Sequence, residues 1–94
     1  MSKASLRASI ESVKGDIERI KLDIATIRSS KKQGCARYAA NIKNARDTST
    51  KASYRNQKAS FVANCESRIR SKLSYMASKK STLAQLRVQL KREK

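Results

Sequence analysis

The chain has 94 residues, of which 23 are Lys or Arg and 7 are Asp or Glu, giving a net charge of +16, with no His, no Trp, no Pro and two Gly. A chain this short forms one domain with a modest core, which excludes a large catalytic cavity. Without Pro and with so little Gly, it also lacks the turn residues that sheets and loop-rich folds require, leaving an all-α chain of long helices.

In the first element Leu6, Ile10, Val13, Ile17, Ile20, Ile24 and Ile27 step alternately by four and three residues, an a/d heptad seam over three repeats. Beyond Ile27 the apolar pattern shifts by one residue and resumes at Cys35, Tyr38, Ile42 and Ala45, with Gly34 at the shift, where a kink is expected. The stretch "ARDTSTKASYRN", residues 45 to 56, gathers Asp47, Thr48, Ser49 and Thr50, which favour caps and turns, so the reversal is expected near residues 47–52. The last element carries Phe61, Val62, Cys65, Ile69, Leu73, Met76, Leu83, Leu86 and Leu90, again mostly at steps of three and four.

These elements predict one domain spanning residues 1–94. It is a long antiparallel two-helix hairpin of coiled-coil type, with arms at about residues 3–46 and 51–93. In mirror order about the turn, with facing numbers adding to 100, Ile10 meets Leu90, Ile17 meets Leu83, Ile24 meets Met76, Ile27 meets Leu73, Tyr38 meets Val62 and Cys35 meets Cys65. Ile69 and Leu86 complete the expected seam. Two positions break the match. Ile20 faces Lys80 and Val13 faces Arg87, whose long stems are expected to cover the seam while their charges reach water, with Leu86 adding apolar surface. A three-helix bundle broken at Gly34 and near Thr48, or a parallel self-associating coiled coil, are the alternatives.

The mirrored Cys35 and Cys65 are expected to form a disulfide, since facing positions bring Cα atoms within the required ~4.4 to 6.8 Å. The alternative is a pair of reduced thiols acting as small apolar residues. No His or C-x-x-C accompanies either Cys, so neither a zinc site nor a redox centre is expected, and no cofactor is implied.

With Ile10, Ile17 and Ile24 at position a, Arg7, Lys14, Lys21 and Arg28 all fall at e, a basic row with ~10.5 Å between charges. Arg70 and Lys91 of the second arm, together with Ala77 and Ala84, flank the same edge and bring no acid to it. Asp16 and Asp23 at g, and Glu11 and Glu18 at b, lie away from this row. A second basic cluster, Arg37, Lys43, Arg46, Lys51, Arg55 and Lys58, surrounds the turn. The outer face of the second arm carries the small polar Ser67, Ser71, Ser74, Ser78 and Ser81.

An enzyme is not expected, because there is no His, no paired-carboxylate pocket and no phosphate-cradling glycine loop, and no small-molecule substrate is implied. The concentrated positive charge calls for an acidic partner. The leading reading is a protein-interaction module that docks on an acidic helical protein. Sequence-nonspecific binding of nucleic acid, directed at the phosphate backbone, is the alternative. Self-association stays open. Membrane insertion is not expected, because the seam uses the apolar residues.

A leaderless hairpin of about this length with a central turn resembles the small WXG100-type proteins of type VII secretion and their helpers. The turn holds "ARDTSTKASYRN" where those proteins have Trp-x-Gly, and Tyr75 is followed by "MASKK" where they have Tyr-x-x-x-Asp/Glu. The resemblance implies pairing with a second helical protein and export without a cleaved signal, and it transfers no site residues. The expected location is the cytoplasm or outside the cell by a signal-independent route.

Overall fold

The computed structural model describes residues 2–93 and contains two helices, α1 Lys3–Asn44 and α2 Thr48–Arg92, joined by residues 45–47. The fold is all-α, a helical hairpin, and no strand occurs among the described residues. Both helices start at side-chain caps. The Ser2 hydroxyl accepts a hydrogen bond from the Ser5 amide at 3.1 Å, and the Asp47 carboxylate accepts one from the Thr50 amide at 2.6 Å. Because Asp47 is the cap, Thr48, Ser49 and Thr50 form the first turn of α2. The reversal therefore falls at residues 45–47, ahead of the expected 47–52. The Thr50 bonds hold the Asp47 carboxyl below the ordinary carboxylate range.

Contacts divide the chain into two compact units: residues up to Asp23 with those from Ser71 onward, and Ile24–Arg70. These are called the terminal unit and the turn unit. In each, a segment of α1 packs antiparallel against a segment of α2.

In the terminal unit Leu6, Ile10, Val13, Ile17 and Ile20 of α1 are buried, as the heptad predicts. From α2 only Leu83 is buried; Met76, Leu86 and Leu90 pack half-buried on the cluster of Ile10, Val13, Ile17 and Leu83. The rest of the α2 seam is lysine. Lys72 and Lys79 are half-buried, their stems lying along the seam and their ammonium groups turning to Asp23 at 3.0 Å and Asp16 at 3.2 Å. Leu73, expected in the core, is 40% exposed because Lys72 holds the seam position beside it. Lys80 and Arg87 are likewise exposed, while their neighbours Lys79 and Leu86 are half-buried.

In the turn unit Ile24, Ile27 and Cys65 are buried, while Tyr38, Val62 and Ile69 are half-buried. The expected shift and kink at Gly34 do not occur: α1 runs on unbroken, and the original heptad continues through half-buried Lys31, Gly34, Tyr38, Asn41 and Ala45. Gly34 is itself a seam residue. The Phe61 ring lies where its Cβ would be, so the missing side chain makes room for the aromatic. Tyr38 packs on the same ring, centroid to centroid 5.8 Å at a tilt of 51°. Lys31 at the next seam position upstream pairs with Glu66 at 3.3 Å.

Cys35 and Cys65 are free thiols, so the expected disulfide is absent. The cross-arm contacts explain why. Gly34 lies against Phe61 and Lys31 reaches Glu66, which places Cys65 level with residues 30 to 32, about three to five positions before Cys35. Cys65 fills the seam while Cys35 sits half-buried on its flank.

Candidate functional site: a basic groove in the terminal unit

The two edges of the terminal unit differ. Along one, Asp16–Lys79 and Asp23–Lys72 form two ion-paired rungs, one heptad apart on both arms. The pairing with Asp16, and Tyr75 beside it, hold Lys79 above the usual lysine range, and its ammonium stands 5.3 Å from the Tyr75 ring centroid. This edge satisfies its own charges.

The other edge opens into a groove of about 460 Å³. Buried Ile17 and Leu83, with exposed Ala84 beside them, give it an apolar lining. Four cations border it, Lys14 and Lys21 from α1 and Lys80 and Arg87 from α2. Within each helix the two cations are seven residues apart, or ~10.5 Å along the axis. Glu18 also lines the groove and pairs with Lys21 at 3.3 Å, while Glu11 pairs with Lys14 at 3.4 Å, so these acids lie within reach of the e row and not away from it. Both pairs are exposed i,i+3 contacts, which screen the lysines weakly and leave them free to turn to another carboxylate.

Of the basic edge read from sequence, Lys14 and Lys21 converge on this groove. Arg7 and Lys91 are exposed elsewhere in the same unit, and Arg28 and Arg70 are exposed in the turn unit. Lys80 and Arg87 were missed as site residues because their mirrored partners made them look like seam covers. Their seven-residue spacing, the same as that of Lys14 and Lys21, was the available signal. The turn cluster is dispersed: Arg37, Lys43, Arg46 and Arg55 are exposed, and Lys51 and Lys58 are half-buried at the seam.

Among the described residues no group of three or more acidic, Cys or His side chains is placed to hold a metal, and no helix is long and apolar enough to cross a membrane. No family model, curated protein or solved structure shows significant similarity to this chain.

Proposed function

We propose that this hairpin is an interaction module whose terminal unit docks an acidic helical protein through the groove bordered by Lys14, Lys21, Lys80 and Arg87. The supporting observation is the combination of an apolar lining with four cations on the one edge that lacks cross-arm ion pairs. A helix with an apolar stripe and flanking carboxylates meets both requirements at once. The likeness to WXG100-type helpers is one of architecture, and a role as a small secretion-associated adaptor rests on that shape.

A second reading, nonspecific polyanion binding, is favoured by the turn unit, where eleven Lys or Arg stand against Asp47 and Glu66. Such binding needs only phosphates near cations and weakens steeply with salt. The experiment that separates the readings is affinity capture from native lysate, with and without nuclease, using the wild-type chain and a Lys14→Gln/Lys21→Gln/Lys80→Gln/Arg87→Gln variant. Capture of an acidic helical protein that survives nuclease and is lost with the variant supports the docking reading. Loss of all partners on nuclease treatment overturns it in favour of nucleic acid.

A further inference from the structure

Each arm brings two cations to the groove at a spacing of seven residues, with Ile17, Leu83 and Ala84 between the two rows. A helix lying along the groove repeats its own side chains at the same interval, so its carboxylates stay in step with both rows only if they too recur every seventh residue. Phosphates on a nucleic-acid backbone have no use for the apolar lining between the rows. A second copy of this chain would add 23 cations and 7 acids to an edge that is already positive.

We infer that the groove is the seat of a third coiled-coil strand: a single amphipathic partner helix with Asp or Glu at seven-residue spacing on both flanks of a stripe of small and aliphatic residues. This rests on the docking reading above and adds the periodicity and the geometry of the partner. Exposed Ala84 is the specificity element, its small side chain leaving space for the partner's apolar stripe between Lys80 and Arg87. On the opposite edge, Asp16 and Asp23 already occupy Lys79 and Lys72, so an acidic strand there would have to displace a carboxylate at each rung.

The test uses the full chain at moderate salt and two helical peptides of about three heptads each, identical in composition. One has Glu at seven-residue spacing on both flanks of a Leu/Ala stripe; in the other the same Glu residues are moved to the far face. A short DNA duplex serves as the polyanion probe. The in-step peptide should bind at least about tenfold tighter than the rearranged one. Ala84→Trp, which keeps every cation, should weaken that peptide by about tenfold or more while leaving the duplex within about twofold. Lys21→Glu/Lys80→Glu should lose the peptide and regain it when the peptide's facing Glu residues become Lys. Helical circular dichroism of both variants reports that they fold.

Equal binding of the two peptides would overturn the seven-residue match while leaving an acidic partner in place. Failure of both peptides would overturn the docking reading as well. An Ala84→Trp chain that binds the in-step peptide as well as wild type would move the site away from the groove. A peptide that fails to bind because the chain pairs with itself, seen as a dimer by sedimentation, would overturn the proposal in favour of self-association.

Discussion

The terminal and turn units are built from the same two helices but solve the seam differently. In the terminal unit α1 contributes an unbroken aliphatic row, and α2 covers it with three half-buried apolar residues, Leu83 and two paired lysines. In the turn unit only Ile24, Ile27 and Cys65 are buried, and the seam continues as Lys31, Gly34, Tyr38, Asn41, Lys51, Tyr54 and Lys58. Apolar burial is the main favourable term in holding two helices together. The terminal unit is therefore the stable body of the molecule, and the turn unit should open first in local unfolding.

The most disruptive test of this contrast is truncation of Ile17, which should cost about 2 to 5 kcal/mol in chemical denaturation, as for other fully buried aliphatics. Ile42→Ala, at a half-buried site in the turn unit, should cost about 1 kcal/mol. Equal losses would mean that the units are equally well packed. Amide exchange should show the same gradient, with residues 31–58 exchanging ahead of the segments around Ile17 and Leu83.

Next in size are the two glycines, one in each unit, where a methyl group has opposite consequences. Gly34→Ala improves helix propensity by about 1 kcal/mol. It also drives the new methyl into the Phe61 ring, and displacing a packed aromatic costs about 1 to 3 kcal/mol, so the variant should be less stable on balance. At Gly15 nothing lies within 4 Å of an added Cβ, so Gly15→Ala should stabilise by about 0.5 to 1 kcal/mol. If Gly34→Ala is stabilising too, Phe61 does not need that gap.

How much of this could be read in advance depends on which residues write the pattern. The α1 seam was legible from Leu6 to Ile27 because aliphatic residues at every a and d position leave no competing phase. The α2 seam was not, because Lys51, Lys58, Lys72 and Lys79 hold one seven-residue row, interrupted by Cys65, that hydropathy reads as surface. Leu73, next to Lys72, then looked like the core residue. The same blindness placed a shift at Gly34, since a glycine seam position has no side chain to register, and it carried Cys35 opposite Cys65. What does betray the α2 seam is charge in mirror order: Lys72 and Lys79 repeat at the interval of Asp23 and Asp16.

Those rungs should affect register more than stability. Asp23 and Lys72 are each more than two-fifths exposed, so Asp23→Asn should cost about 0.2 to 1 kcal/mol, and less at high salt. A double-mutant cycle with Lys72→Gln measures the coupling directly. A coupling of zero would leave the mirrored charges without an energetic role and weaken the distinction between the closed and open edges of the terminal unit.

The smallest expected effect separates the units by pH. Asp47 caps α2 in the turn unit, and its folded pKa lies below the ordinary aspartate value of 3.8, so its contribution to stability is complete above that value and is lost as pH falls through the folded pKa. Asn at this position keeps the cap but does not titrate. The chain holds six other carboxylate side chains, so the cap is isolated by comparing two chains and not from the slope of the wild type alone. The difference between wild type and Asp47→Asn cancels those groups and leaves the cap. Between about pH 5 and pH 2 the wild type should therefore lose more thermal stability than Asp47→Asn. Parallel pH profiles for the two chains would mean that the Thr50 bond survives protonation of the carboxyl, and that the start of α2 is held by its backbone alone.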